Sequence, residues 1–395
     1  MRTDPIVIVS AARTAQGNLL GALKEVSAPQ LGSNVIQTVV ERAALTAFDI
    51  QEVWMGCVLS AGLGQAPARQ ASLAAGLSVH TPCTTINKMC GSGMQAVISA
   101  YDKLRVGHQA IYVAGGMESM TQAPYLLLKA RQGYRLGHSQ LIDHMMADGL
   151  EDAYHPHPMG YFAELCAREY GLTREQQDQY ALASLERAQS AIKKQYFKAE
   201  ISPVVVKTPK SEQIVDIDER PGSVNKEKIP TLPAIFLEGG TITAANSSSI
   251  SDGAAALILM PLSLATQRGL TPLAQMTGYT TYADSPDQFP TAPIFAIRQL
   301  LSNIRWSITD VDLFEINEAF AVVALAAMQE LAIPHEKLNI HGGGCALGHP
   351  IGASGARIMV TLMNALRIHH LKRGIAAACI GGGEAIAVAL ELMSG

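Results

Sequence analysis

Charged and aromatic residues are scarce in this chain of 395 residues, at 16% and 5% of the total. A typical domain has about 25% charged residues, so a disordered, solvated chain is excluded and a large apolar core is expected. The 30 basic and 34 acidic residues give a net charge of −4, which does not indicate a nucleic-acid-binding surface. Long hydrophobic runs are also missing, because the apolar stretch from Gly374 to Leu390 is interrupted by Glu384 and three glycines. No membrane-spanning helix is therefore expected.

The chain also lacks the features of secreted and nucleotide-binding proteins. The apolar run Ile6–Val9 near its start is too short for a signal peptide. Its six cysteines are widely scattered, without a Cys-x-x-Cys pair, which argues against a disulfide framework. Neither Gly-x-Gly-x-x-Gly after a strand nor Gly-x-x-x-x-Gly-Lys is present. We expect a cytoplasmic protein of two or three domains.

Strand-like and helix-like stretches alternate along the chain, which is typical of α/β architecture. The turns Cys90–Gly93 and Gly352–Gly355 each start an apolar helix, and a strand ending in consecutive glycines follows each. This weak repeat indicates two similar halves, although a glycine-rich sequence can also recur by chance. Residues 120–250 differ, with a polar helix around 173–195 and a charged stretch at 207–233. They predict an inserted, largely helical region with long loops.

Cys90 is a candidate nucleophile between a predicted strand at 81–86 and a predicted helix. A cysteine at a helix N-terminus lies at the positive end of the helix dipole, which favours the thiolate. The flanking glycines allow a substrate to approach the backbone, where free N–H groups bind an oxyanion. Cys90 is accordingly predicted to be the thiol most prone to alkylation. The alternative is a buried structural cysteine.

A glycine-rich segment from His341 to Pro350 presents His349 as a candidate general base. The spacing of His341, Cys345 and His349 resembles that of zinc ligands on one helical face. The glycines and Pro350 disfavour a helix there, so we expect a loop and no metal. A loop histidine that is hydrogen-bonded only to backbone is the alternative.

Cys379 and Asn317 each occur near the end of a predicted strand. Cys379 precedes Gly381–Gly383, and ligands of open α/β sheets bind beyond the carboxyl ends of strands. A core cysteine is the alternative. Asn317 follows the strand-like segment 311–316 and precedes an apolar helix, where an N-cap role is the alternative to function.

Seven segments, in order along the chain, together resemble the thiolase family, and the resemblance covers nearly the whole chain. They are Gly64–Gln70, Asn87–Gly93, Ala114–Met120, Asn246–Ala255, Asn317–Ala321, Gly348–Gly355 and Cys379–Gly383. The resemblance implies a five-layered α/β/α/β/α fold of two similar halves, 1–119 (completed by 251–271) and 272–395, with a loop domain at 120–250. It also implies a homodimer or homotetramer without a metal or other cofactor.

The activity implied is that of an acetyl-CoA C-acetyltransferase in lipid metabolism, which condenses two acetyl-CoA molecules through an acyl-cysteine and catalyses the reverse thiolysis. The resemblance assigns the nucleophile to Cys90, the base to His349 and a second acid/base to Cys379. It assigns an oxyanion-hole N–H group to Gly381 and a water-holding amide to Asn317. The positions implied to contact the acyl-CoA substrate are Ser248, His157, Met159 and Phe289.

Three departures from the usual family pattern leave alternatives open. Cys345 replaces an apolar residue, Glu384 follows the last glycines, and Phe289 begins a segment that usually reads Met-Gly-x-Gly-Pro. Phe289 either narrows the acyl pocket or swings aside for a longer tail. A 3-ketoacyl-CoA thiolase of fatty-acid β-oxidation is therefore the main alternative. A non-catalytic acyl-CoA-binding protein and a redox sensor using Cys90 and Cys379 are alternatives of other classes.

Overall fold

A computed structural model describes residues 4–208 and 211–393, which form a large mixed sheet with helices on its faces. Within these ranges the strands are β1 (Ile6–Thr14), β2 (Gly17–Asn18), β3 (Glu52–Gly56), β4 (Cys83–Ile86), β5 (Tyr112–Ser119), β6 (Tyr125–Leu126), β7 (Ile142–Asp143), β8 (Ile201–Ser202), β9 (Val204–Thr208), β10 (Ser211–Val215), β11 (Ser251–Pro261), β12 (Ala274–Ala283), β13 (Leu313–Ile316), β14 (Arg373–Ile380) and β15 (Glu384–Leu392). The α-helices are α1 (Ala28–Arg42), α2 (Pro67–Ala74), α3 (Ser92–Arg105), α4 (Met159–Glu169), α5 (Arg174–Lys193), α6 (Arg220–Ser223), α7 (Leu262–Gln267), α8 (Ala292–Ile304), α9 (Ala321–Leu331), α10 (Gly344–Leu347) and α11 (Ile351–Ile368).

The sheet consists of two arms with the same internal order. The first arm runs β4-β3-β5-β11-β1, and the second runs β13-β14-β15-β12, with a parallel bridge from Phe314 to Leu338 where β4 would lie. The arms are joined at β1 and β12 by two residue pairs, Val7 with Gln275 and Ile8 with Ala274. The weak repeat in the sequence thus corresponds to two similarly ordered halves.

Side chains along each strand alternate between the two faces of an arm, and both faces lie in a hydrophobic core. In β14, Ile375 and Ala377 face an outer core with α8 and α9, whereas Ala376 and Ala378 face a central core with α3 and α11. Helix α1 covers the opposite face of the first arm. The order of layers is therefore helix, sheet arm, central helices, sheet arm, helix, because strands buried on both faces need helices on both sides.

Helix α11 comes very close to strand β5. A Cβ atom added to Gly116 would lie 2.0 Å from the carbonyl oxygen of Gly352. The glycines at 115 and 116 therefore stand inside a continuous strand, and the expectation that this strand ends in Gly-Gly is wrong. In the second half, the glycines at 381–383 do form the turn between β14 and β15.

Residues 120–250 contain α4, α5, α6 and the hairpin β9–β10, connected by long irregular segments. They are tied to the first arm, because β8 pairs with β1 and the buried Arg13 guanidinium binds Glu200 and Asp218. Within the described ranges, no helix is long and apolar enough to cross a membrane.

Candidate active site

A pocket of about 480 Å³ opens where turns of both arms meet the inserted region. Seven of the nine predicted site residues line it, namely Cys90, Cys379, His349, Gly381, Ser248, Met159 and Phe289. The fold therefore brings together side chains that are separated by up to 289 positions in the sequence, from Cys90 to Cys379.

Cys90 lies in the turn between β4 and α3, two residues before the helix begins. Met89 adopts a left-handed φ of 46°, which is unusual for a residue with a side chain. Hydrogen bonds support this conformation: the Met89 N–H donates to Asn87 Oδ1 at 3.0 Å, and Ser92 Oγ donates to the Met89 carbonyl at 2.6 Å. The strained turn thus presents the sulfur of Cys90 to the pocket.

His349 lies between α10 and α11, and its ring is fixed by two side chains. Its Nδ1 is 2.5 Å from Ser354 Oγ, and Ser354 Oγ donates its proton to the Pro350 carbonyl at 2.9 Å. The only proton of the Ser354 hydroxyl goes to Pro350, so the hydroxyl accepts a hydrogen bond from Nδ1–H of His349. In this neutral ring the lone pair is therefore on Nε2. The Asn317 Nδ2 amide lies 3.4 Å from Nε2. This tautomer is the one that a general base requires.

Cys379 and Gly381 lie where β14 ends and line the pocket together with Cys90. The backbone N–H groups of Gly381 and of Cys90 itself lie close enough to the Cys90 sulfur to favour its thiolate. The N–H groups of Cys379 and Ala319 likewise point to the Cys379 sulfur. Both thiols are thus surrounded by backbone donors, which is the arrangement that stabilises negative charge.

Burial favours the uncharged forms of Cys90, His349 and Cys379. It raises the pKa of Cys90 to about 11, although the surrounding N–H groups oppose this rise. Burial and then the positive charge of Arg357 lower the pKa of His349 to about 3. Burial and the nearby Cys90 raise the pKa of Cys379 as well. The pKa of Cys90 thus shifts in the direction opposite to the one that a helix N-terminus alone predicts, because desolvation outweighs the backbone donors.

Asn317 is fully buried behind His349, directly after β13. Helix α9 starts at Ala321 with Phe320 as its N-cap, so the N-cap alternative for Asn317 is wrong. The Asn317 N–H donates to the Ala377 carbonyl at 2.9 Å, which ties the residue to the sheet. Its Oδ1 atom is buried without a hydrogen-bond partner among the described atoms.

The remaining predicted contacts fall into two groups. Phe289 is buried, and its ring lies 6.4 Å from that of Phe320, while the Met159 side chain lies beside Gly381, 3.7 Å from where a Cβ atom would be. His157, in contrast, is exposed outside the pocket wall, where its ring stacks on Tyr161 at 4.1 Å.

His341, Cys345 and His349, whose spacing resembles that of zinc ligands, do not converge as a metal site. His341 Nε2 contacts His369, whereas the buried Cys345 N–H donates to Glu318. Among residues 4–208 and 211–393, no three His, Cys, Asp or Glu side chains converge as metal ligands. The segment also contains one helical turn, α10, where only a loop was expected, because Glu318 accepts the N–H of Cys345 near its start.

Sequence reasoning missed three residues of the pocket. Arg220 lines it and is held by the carbonyls of Cys345 and Ala244. Phe236 and Phe320 form an aromatic wall with ring centroids 5.9 Å apart. Arg220 carries no sequence signal, because it lies in the irregular inserted region. The aromatic residues stood out only by their scarcity in the chain.

Comparison with known proteins gives matches over nearly the whole chain. Models of the thiolase N-terminal and C-terminal domains match residues 6–263 and 270–392. An acetyl-CoA acetyltransferase of Arabidopsis thaliana is 48% identical, over 98% of this chain and 97% of its own length. An acetyl-CoA acetyltransferase of Escherichia coli is 46% identical, over 98% of this chain and 99% of its own.

Solved structures agree with these matches. The acetyl-CoA acetyltransferase of Bacillus anthracis superposes with a TM-score of 0.97 at 39% identity, covering 99% of each chain. A thiolase of Ascaris suum in complex with coenzyme A gives 0.93 at 40% identity, covering 98% of this chain and 100% of the other. The predicted five-layered fold is thus confirmed, and the chain belongs to the thiolase family.

Proposed function

We propose that the protein is an acetyl-CoA C-acetyltransferase, which condenses two acetyl-CoA molecules to acetoacetyl-CoA and free CoA and also catalyses the reverse thiolysis. The observation that carries this proposal is the convergence of Cys90, His349 and Cys379 in one pocket. The names of the relatives support the same activity.

In the first half of the reaction, His349 Nε2 takes the proton of Cys90, and the thiolate attacks the acetyl-CoA carbonyl carbon. The carbon–sulfur bond to CoA breaks, and the departing CoA sulfur takes a proton from Cys379. The products are acetyl-Cys90 and free CoA. A neutral His349 with a free Nε2 and a protonated Cys379 are the starting states that this sequence needs, and the pKa directions of both groups agree with it.

In the second half, the Cys379 thiolate removes the α-proton of a second acetyl-CoA. The resulting enolate attacks the acetyl carbonyl carbon, the new carbon–carbon bond forms, and Cys90 leaves and recovers its proton from His349. The N–H groups of Cys90 and Gly381 would bind the acyl oxygen, and protonated His349 would stabilise the enolate. The unpartnered Oδ1 of Asn317 supports its proposed role in holding a water molecule there.

Coenzyme A thioesters serve as substrates, and the proposed steps require no further cofactor. The cationic Arg220 and the hydroxyl of Ser248 on the pocket wall suit a phosphorylated, polar coenzyme. His157 would contact the coenzyme only outside the pocket, where its ring is exposed.

The shape of the pocket favours a short acyl group. The Phe289 side chain is only 2% exposed, which supports a role in narrowing the pocket over one in which it swings aside. With Phe236 and Phe320 it forms an aromatic wall. A 3-ketoacyl-CoA thiolase with a broad chain-length range is therefore the less favoured alternative.

The test uses the purified chain and acetyl-CoA carrying a radiolabelled acetyl group. After an acid quench and digestion, the label is expected on the peptide that contains Cys90, and Cys90→Ala should abolish it. Cys83→Ala serves as a control that should keep it. Thiolysis rates are then compared for acetoacetyl-CoA and a long-chain 3-ketoacyl-CoA. Absence of label on Cys90 contradicts the mechanism, and faster cleavage of the long substrate favours the β-oxidation alternative.

The oligomeric state, the compartment and the pathway belong to the proposal as well. We propose a homodimer or homotetramer in the cytoplasm that acts in lipid metabolism. Strand β4 supports self-association, because among the described strands it has a partner, β3, on one side only. An unpaired strand edge is a ready site for pairing with another chain.

A further inference from the structure

An ion pair connects the turn that contains Cys90 with the residue that directly follows the glycine turn 381–383. Lys88 lies two residues before Cys90, and Glu384 lies three residues after Gly381. The Lys88 ammonium group donates to the Glu384 carboxylate, and their side chains are 24% and 37% exposed. Because the two residues belong to different arms, this pair is a direct polar link between the halves beside the pocket. Neither side chain lines the pocket itself.

The turn that carries Lys88 is strained and has a fixed shape. Its strain is at Met89, whose φ is 46°. The Lys88 N–H donates to Ser92 Oγ at 2.8 Å, and the Lys88 carbonyl accepts from the Gly91 N–H at 3.0 Å. Lys88 and Cys90 therefore belong to one hydrogen-bonded turn.

The opposite turn has little stiffness of its own. It consists of Gly381, Gly382 and Gly383, and the last two have φ values of 96° and 87°. Glycine is the most flexible residue, so the shape of this turn depends on its flanks, where Ile380 pairs with Glu384. One anchor is the Gly383 carbonyl, which accepts from the Asp284 N–H at 2.9 Å. Glu384 is the first residue after the turn whose side chain provides another.

We propose that the Lys88–Glu384 pair is a clasp that keeps the Gly381 N–H group in position beside the Cys90 sulfur. The inference rests on the proposed function, since this N–H group would bind the acyl oxygen. The two turns are already in close contact, because a Cβ atom added to Gly91 would lie 2.5 Å from Ile380 Cδ1. A small relative shift of the turns would therefore change the oxyanion geometry while leaving the coenzyme contacts intact. Lys88 and Glu384 act as positioning residues.

The test compares Lys88→Met, Glu384→Gln and the exchanged pair Lys88→Glu/Glu384→Lys. Each single variant is expected to lower kcat for acetoacetyl-CoA thiolysis about 10-fold with KM nearly unchanged, because small misplacements near reacting atoms are costly. The exchanged pair should recover most of kcat. Lys103→Met is the matched control, since it removes the similarly exposed Lys103–Glu52 pair elsewhere on the first arm, and kcat should not change.

The possible outcomes are distinguishable. Unchanged kcat in both single variants overturns the clasp, and so does an exchanged pair that regains the melting temperature but not kcat. A comparable fall in kcat for Lys103→Met also overturns it, because the effect would then be general. If the unaltered protein does not cleave acetoacetyl-CoA, the proposed function fails. The clasp is then tested by the rate of Cys90 alkylation with iodoacetamide, which should change in the single variants and return in the exchanged pair.

Discussion

At the scale of single residues, Cys90 and His349 form a pair that is neutral at rest. Burial raises the pKa of the thiol to about 11 and lowers that of the imidazole to about 3. In the proposed reaction, transfer of the proton between them is therefore costly until a substrate carbonyl accepts the sulfur. This arrangement protects the thiol from side reactions, because the thiolate is the reactive form.

The neutral pair predicts a characteristic pH dependence of Cys90 alkylation. Below the pKa of a thiol, the thiolate fraction rises about tenfold per pH unit. The rate with iodoacetamide, measured by mass spectrometry of the Cys90 peptide, should therefore rise steadily from pH 7 to 10 without a plateau. Cys90→Ala identifies labelling at other thiols, and free glutathione provides the reference rate.

A plateau near neutral pH would contradict this prediction and would indicate a thiolate–imidazolium pair. Labelling first at Cys57 or Cys166 would contradict the sequence-based expectation that Cys90 is the thiol most readily alkylated. That expectation now depends on access through the pocket, since the thiol is not ionised at rest.

At the scale of elements, the position of His349 depends on how closely α11 packs on β5. Gly116 and Gly352 allow their backbones to touch, and the Glu118 carboxylate accepts the N–H groups of Gly352 and Val58. Burial raises the pKa of Glu118 to about 7, although these N–H groups oppose the rise. The beginning of α11, directly after His349, is thus bound to the first arm.

We predict that Gly116→Ala strongly destabilises the protein. The added methyl group would lie 2.0 Å from the Gly352 carbonyl oxygen, so α11 must move. Overpacking typically costs about 1–3 kcal/mol, and a backbone contact this short belongs at or above the upper end. Gly222→Ala is the matched control, because a Cβ atom there meets nothing within 4 Å. Equal melting temperatures for the two variants, measured by circular dichroism, would contradict the prediction.

The sequence predicted the elements better than it predicted their contacts. The strand before Cys90, the helix after it and the strand that ends near Cys379 all exist, because apolar periodicity is a local property. The role of Gly116 was misjudged, since its neighbour Gly352 is remote in sequence. The N-cap alternative for Asn317 failed because the helix begins four residues later. The contacts that Arg220 and Ser354 make in the site are visible only in the folded structure.

At the scale of the whole molecule, the open edge of β4 predicts a dimer. The carbonyls of Pro82 and Ile86 accept from β3, so the alternating residues Cys83 and Thr85 turn their backbone groups to the open edge. Light scattering should give at least twice the 42.0 kDa of one chain. Cys83→Pro removes an outward N–H group and should yield monomers, whereas Cys83→Ala should not. A monomeric unaltered protein, or a Cys83→Pro variant that still associates, would contradict this assignment.

The order of the strands has a consequence for synthesis of the chain. Strand β11 lies between β1 and β5, so the first arm stays incomplete until residue 261 has left the ribosome. Helix α3 remains without its packing partner for longer, because helix α11 begins only at residue 351. A nascent chain of this length exposes apolar surface for most of its translation, and such surface is what chaperones recognise. Slow codons or limited chaperone supply should therefore harm the yield of this protein more than that of one whose domains close in sequence order.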